Sequence, residues 1–321
     1  MSKKDGLHTV LITQGVSRVV KPLLESRHRL VGIIEAAPRG KKQFNFFHKI
    51  ISKISCLFRP ANNLKNFCKK NDLSYFYLDK TTEVKAIEWL EKVNPDIIVV
   101  FSMSHLLKEE IFNWPKYKAI NLHTAYLPYY RGPNPDFWHY YNQDTNPGVT
   151  VHYIDKGEDT GDIIYQEKCQ VELGIKSPQR LDKLIGEVGI RLFLKALDAI
   201  QTGNAPRTKQ PENSPTPRAR NITPEEHKSI INWQKWEINR IWNLLRGTEL
   251  WLNALPSPKG LFKGQRWVIE EMIPLNNVDK SLWGHIKKER GKYFIYCNGG
   301  KIHISVKLNP KLLIKKLLGI G

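Results

Sequence analysis

Cysteine is scarce in this sequence: Cys56, Cys68, Cys169 and Cys297 are the only four among 321 residues, with no CxxC spacing and no paired histidines nearby. That excludes a disulfide framework or a zinc site as an organising feature and leaves packed or incidental thiols, with no metal expected. Long apolar runs are also missing. No stretch approaches the roughly 18 residues a membrane span needs, and the opening "MSKKDGLHTVLITQG" has neither a long apolar segment nor a small-residue cleavage site. The expectation is a soluble, cytoplasmic protein. Acid is in deficit: 31 Asp and Glu face 50 Lys and Arg, a formal charge of +19. A field of that sign attracts nucleic acid, anionic membrane or phosphorylated small molecules, and narrows the partner rather than the chemistry.

What is present reads as an α/β chain. "TVLIT" (Thr9 to Thr13), a mixed stretch with Val19 and Leu23, and "LVGII" (Leu30 to Ile34) give strand, helix, strand. Lys85 to Val93 carries Ile87, Leu90 and Val93 at helical spacing and leads through Asn94-Pro95-Asp96 into the apolar run "IIVVF" (Ile97 to Phe101). Such a run fits a parallel strand covered on both faces. Further strands are expected at Lys118 to His123, Gly148 to Ile154 and Asp162 to Val171, and a long helix from Ser177 with Leu181, Leu184, Val188 and Leu192 on one face. The segment "GNAPRTKQPENSPTPRAR" (Gly203 to Arg220) has almost no apolar residue and reads as an exposed connection. The expected division is therefore a first domain at 1–205, a linker at 206–223 and a second domain at 224–321. In the last, Thr223, Pro224 and Glu226 form a capping-box start, a tryptophan-rich helix precedes Gly247, and short β-type runs at Arg266 to Ile273, Tyr293 to Cys297 and Lys301 to Val306 suit a small barrel.

The chemistry gathers at "INLHTAYLPYYRG" (Ile120 to Gly132). If a parallel strand ends here, Asn121 and His123 point the same way at the carboxyl edge of the sheet, where α/β proteins place ligand sites. The following turn combines rigidifying prolines, a glycine that admits a ligand and aromatics that line a pocket or pack a core. A second cluster, "DKGEDTGD" (Asp155 to Asp162), offers Asp155, Glu158, Asp159 and Asp162 in a glycine-containing loop. An amide donor, an imidazole and a carboxylate together make an acyl-transfer set without a Ser or Cys nucleophile, so the nucleophile comes from the substrate. A strand-end histidine beside a solvated turn is the other reading of the same residues.

Asn121-Leu122-His123, Leu127-Pro128, Arg131-Gly132, Gly148-Val149-Thr150 and Asp159-Thr160-Gly161, with Asp159 placed 36 residues past His123, resemble the signature of 10-formyltetrahydrofolate-dependent formyltransferases. The resemblance covers most of residues 9 to 200 and continues more weakly through Ile231 to Trp251 and Phe262 to Ile269. It implies a Rossmann-like formyltransferase domain followed by a smaller OB-like β-barrel. It also implies roles: Asn121 donating to the formyl oxygen, His123 handling the amine proton, and Asp159 orienting His123 or a relay water. The donor, 10-formyltetrahydrofolate, would lie against Phe101, Ser102, Met103, Leu106 and the backbone at Gly157.

Two kinds of acceptor compete: an amino sugar carried on a nucleotide for surface polysaccharide, and the amino group of initiator methionyl-tRNA. Thr124 to Asn142 departs from the pattern of tRNA-formylating members, and Tyr126, Tyr130, Arg131, Asn134 and Trp138 suit stacking on a ring and hydrogen bonding to hydroxyls, or else packing of the next helix. Arg218 and Arg220 either reach a diphosphate or are solvated. On the loop chemistry the sugar nucleotide is favoured. The net charge and "APRGKKQ" (Ala37 to Gln43) point instead to RNA. The stretch Arg39 to Lys70, with nine basic residues and no acid, and the tail "KLLIKKLLGIG" also fit peripheral contact with an anionic membrane. A non-catalytic RNA-binding protein and a formyl-folate hydrolase are the neighbouring functions.

Overall fold

The structure, a computed structural model, describes residues 6–38, 64–103 and 105–310. The basic stretch through residue 63 and the tail from residue 311 lie outside the described residues. The chain divides into two compact units, one of residues 1–135, 147–169 and 182–218, the other of residues 136–146, 170–181 and 219–321. The segment expected as a linker is thus shared: residues 206–218 belong to the first unit and the remainder to the second.

In the first unit seven strands form one sheet: β1 (His8–Thr13), β2 (Arg29–Ala36), β3 (Ser74–Leu78), β4 (Ile97–Val100), β5 (Ala119–His123), β6 (Gly148–Tyr153) and β7 (Ile163–Lys168). Their order is β3-β2-β1-β4-β5-β6-β7. The strands from β3 to β5 are parallel, and β6 and β7 are antiparallel to their neighbours. Every residue of β4 is buried, as a central strand covered on both faces requires. Val10, Ile12, Ile34 and Val100 meet Ala86 and Leu90 of the helix Glu83–Val93 in one core cluster. The order reverses between β1 and β4, so the loops leaving their carboxyl ends part and open a crevice, the usual ligand position in such sheets.

The helix expected from Ser177 begins there but changes pitch. An α-helical turn (Ser177–Leu181) gives way to a π-helical stretch (Asp182–Gly189) and then to α-helix again (Ile190–Gln201). Leu184, Ile185 and Val188 of the π-helical stretch all face the buried side.

The second unit carries the smaller, OB-like part as an antiparallel sheet of β8 (Arg266–Pro274), β9 (Ile286–Glu289), β10 (Lys292–Cys297) and β11 (Gly300–Lys307), ordered β8-β11-β10-β9. Ile269, Ile295, Ile302 and Ile304 of the sheet pack with Ile241, Leu244 and Leu245 of the helix Ile238–Gly247. Its last residue has to be glycine, since a Cβ on Gly247 would sit 2.1 Å from the Tyr140 ring. The capping box forms as expected, with the Thr223 N–H donating to Glu226 (2.7 Å) and the Glu226 N–H to the Thr223 hydroxyl (3.4 Å). Among the described residues no helix is long and apolar enough to cross a membrane.

Candidate active site

The carboxyl end of β5 and the loop between β6 and β7 build the site together. Asn121 and His123, two residues apart on β5, project to the same side. Asp159 comes to them because its loop is folded tightly on itself. Asp155 accepts from the Gly157 N–H (3.0 Å) and the Thr160 hydroxyl (2.6 Å), and a Cβ on Gly161 would meet the Tyr153 carbonyl at 1.9 Å. Asp159 itself takes a left-handed backbone, φ 56°. Of the four loop carboxylates only this one turns inward, since Glu158 pairs with Arg218 and Asp162 with Arg207.

One oxygen of Asp159 accepts from the Gly132 N–H (2.9 Å) and lies 3.6 Å from His123 Nδ1. The other accepts from Asn121 Nδ2 (3.3 Å) and lies 3.5 Å from His152 Nε2. Burial alone would push the Asp159 carboxyl up. The facing His123 ring, the hydrogen bond and charge of His152 and the Gly132 amide outweigh it and hold the group well below the usual carboxylate range. A carboxylate only 13% exposed thus faces a buried imidazole, His123 being 7% exposed.

The partners assign the ring protons. His152 Nδ1 is 2.8 Å from the Tyr153 carbonyl and donates to it, and its Nε2 faces the Asp159 carboxylate and lies 3.2 Å from Asn121 Nδ2. His123 Nε2 is 3.1 Å from the Tyr130 carbonyl and donates there, while Nδ1 faces Asp159. The Asn121 amide holds Asp159 through a bond at the long end of the range (3.3 Å), which a substrate oxygen can replace.

His152 is the residue that sequence reasoning missed. It sits opposite Asn121 in the antiparallel β5–β6 pairing, and only that register brings it to the site. A signal existed in "GVTVHYI", where His152 is an isolated polar group between buried Val151 and Tyr153.

The other expected residues fall into three groups. Phe101, Ser102 and Met103 leave the end of β4, with the Phe101 N–H on the Ile12 carbonyl (3.0 Å), Ser102 left-handed (φ 65°), Met103 packed against the core and Leu106 exposed beyond them. These residues lie at the carboxyl end of β4, where the sheet order reverses between β1 and β4. Tyr126 and Tyr130 belong to the loop after β5. There the Tyr126 side chain lies against Gly148, the Tyr130 carbonyl holds His123, and Asn134 stands half-buried ahead of the helix Pro135–Tyr141. Arg131 and Trp138 are committed to structure. The Arg131 guanidinium is buried and donates to Gln210 and to the carbonyls of Pro211 (2.7 Å) and Glu212 (2.9 Å). Trp138 belongs to the second unit, where its indole packs on Phe137 and Tyr141 and donates to the Arg220 carbonyl (2.8 Å).

An open, largely parallel sheet thus gathers an amide, an imidazole and a carboxylate at the carboxyl end of β5, a set suited to acyl transfer to a nucleophile supplied by the substrate. A family profile described as formyl transferase matches residues 58–197. The chain is 32% identical over 193 residues to a methionyl-tRNA formyltransferase of Clostridioides difficile, a match spanning 60% of each chain. It is 32% identical over 259 residues to that of Agathobacter rectalis, spanning 80% of each. Among solved structures, the N-formyltransferase of Helicobacter canadensis, in complex with folinic acid and dTDP-3-aminofucose, superposes with a TM-score of 0.59 at 18% identity, covering 94% of this chain and 100% of that one. The chain belongs to the formyltransferase family, whose enzymes transfer the formyl group of 10-formyltetrahydrofolate.

Proposed function

We propose that the protein moves a formyl group from 10-formyltetrahydrofolate to the α-amino group of an aminoacyl-tRNA, with Asn121, His123 and Asp159 as the catalytic set. The observation that carries the chemistry is the largely enclosed Asp159 carboxylate held between Asn121 and His123, with no Ser or Cys nucleophile beside it among the described residues. The acceptor amine attacks the formyl carbon, and one Asn121 N–H turns from its long bond to the developing oxyanion. His123 takes the proton the amine loses and returns it to folate N10 as the carbon–nitrogen bond breaks, and the Asp159 carboxylate stabilises the imidazolium in between. Phe101, Ser102, Met103, Leu106 and the Gly157 backbone bind the folate. The formed product is a formamide, and the leaving folate gains the hydrogen the amine gave up.

The acceptor assignment departs from the amino sugar that the loop sequence favours. That reading leaned on an aromatic, arginine-lined mouth. Trp138 is spent inside the second unit, and Arg218 donates to Glu158 (2.7 Å). The naming of the curated relatives and the +19 charge support a tRNA. The sugar nucleotide stays as the second reading on one observation: Tyr129 remains 44% exposed beside Tyr126 and Tyr130, a surface fit for stacking. The deciding experiment follows tetrahydrofolate release from 10-formyltetrahydrofolate by the purified protein with charged initiator tRNA or a panel of amino-sugar nucleotides. Turnover with tRNA alone upholds the proposal; turnover with a sugar alone replaces the acceptor, and turnover with neither acceptor present indicates a hydrolase.

A further inference from the structure

The polar segment 207–218 is exposed along most of its length, and the three of its side chains that turn partly inward, Gln210, Ser214 and Thr216, each hold a loop of the site. It enters through a two-way backbone pairing of Thr208 with Ile163 (2.9 and 2.8 Å) at the start of β7. Ser214 Oγ then donates to the Pro128 carbonyl (2.8 Å), and Thr216 Oγ accepts from the Tyr130 N–H (2.7 Å).

Gln210 does more than either. Its Nε2 donates to the carbonyls of Asp159 (3.0 Å) and Gly161 (2.7 Å). Its Oε1 accepts from Arg131 Nε (3.2 Å) and Nη2 (2.9 Å). All four hydrogen-bonding positions of the amide are filled, which fixes its orientation and leaves it no second arrangement. One end grips the loop that carries the Asp159 carboxylate. The other grips the residue between the Tyr130 carbonyl that holds His123 and the Gly132 N–H that holds Asp159.

We infer that Gln210 is a positioning residue for formyl transfer: its side-chain amide ties the Asp159 loop to Arg131 and thereby sets the separation of the Asp159 carboxylate and the His123 ring. The inference rests on the catalytic reading above. A carboxamide is the one neutral side-chain group of this length that both donates twice and accepts twice, and a carboxylate here would set oxygens against the Asp159 and Gly161 carbonyls.

The test uses the full chain and steady-state kinetics with whichever acceptor supports turnover. Gln210→Met keeps the length and removes the bonds, and Gln210→Asn keeps the amide and shortens the reach. Both are expected to lower kcat about 10- to 100-fold, the scale of a displaced catalytic group, while KM for 10-formyltetrahydrofolate stays within about twofold of wild type. The discriminating readout is the same substitution in an Asp159→Asn background. If Gln210 acts through the carboxylate, adding Gln210→Met there changes kcat by less than about twofold. A full additional loss in that background, or a wild-type kcat in both single variants, overturns the inference. Should Gln210→Met fail to fold, Gln210→Asn carries the same comparison. Wild-type kcat in Asp159→Asn alone would instead remove the catalytic reading, so the two failures are separable.

Discussion

At Asp159 burial and ion pairing oppose each other, and pairing wins. Replacing the carboxylate by the near-isosteric amide keeps the shape but leaves His123 without its counter-charge, so Asp159→Asn should lower kcat by about 10²–10⁴-fold with little change in donor KM. Stability gives an independent check. Because the folded-state pKa lies below the unfolded value near ~4, the stabilisation is complete above that pH and is lost as pH falls through the depressed folded value. Calorimetric scans across the acid range should therefore show wild-type Tm dropping more steeply below pH ~4 than that of Asp159→Asn. His28 shifts the other way. Burial lowers its pKa, with Asp198 opposing, and its Nδ1 accepts from the Leu7 N–H (3.2 Å). The unfolded chain then takes a proton at a pH where the folded one does not, so stability falls as pH drops below ~6.5. His28→Gln should flatten the Tm profile below about pH 6.5.

Among the elements, β8 has the most to manage, since it is a nine-residue strand at the edge of its sheet. Side chains stand in for the missing neighbour. Glu249 accepts from the Ile269 N–H (3.1 Å), Arg246 donates to the Ile269 carbonyl (2.7 Å), and the Trp242 indole donates to the Glu270 carbonyl (2.7 Å). Arg246 also reaches Glu270 (3.2 Å) and the Gly174 carbonyl (2.8 Å). Arg246→Met should cost about 2–4 kcal/mol, because it strands two carbonyls, and Trp242→Phe only about 1 kcal/mol, because Glu270 keeps Arg246. Denaturant unfolding of the two variants reads the difference, and the reverse order would refute this account of the edge. Edges also explain which strands the sequence conceals. β4 is apolar throughout and β1 carries the apolar core Val10 to Ile12, so both are legible alone, whereas β3 and β9, with "SYFYL" and "IKKE", lie at sheet edges and owe their place to one neighbour each. The same holds in the site. Asn121 and His123 stand out by type and spacing and Asp159 is picked from its four-carboxylate loop by the family resemblance, while His152 needs the antiparallel register of β6, and Gln210 is camouflaged by a Pro-rich polar segment that reads as solvated.

For the whole molecule the question is what a +19 chain meets in solution. A tRNA acceptor and a sugar nucleotide differ less in the amine they offer than in the number of phosphates the protein must neutralise. Each phosphate contact releases condensed counterion, so affinity for a nucleic acid falls with a log–log salt slope set by the number of contacts, whereas a diphosphate gives a shallow one. If tRNA is the acceptor, its KM should climb steeply between about 50 and 200 mM salt, by 10-fold or more even for a few contacts, and uncharged bulk tRNA should compete. KM for 10-formyltetrahydrofolate, which carries no phosphate, should move far less over the same range. A flat salt dependence for the acceptor would mean that the charge serves some partner other than the substrate. The exposed Tyr129 surface would then be the feature to follow. Reading kcat alongside KM separates the two outcomes from a simple salt effect on the chemistry, because Asp159 and His123 are buried and the Debye screening that weakens surface contacts acts on them least.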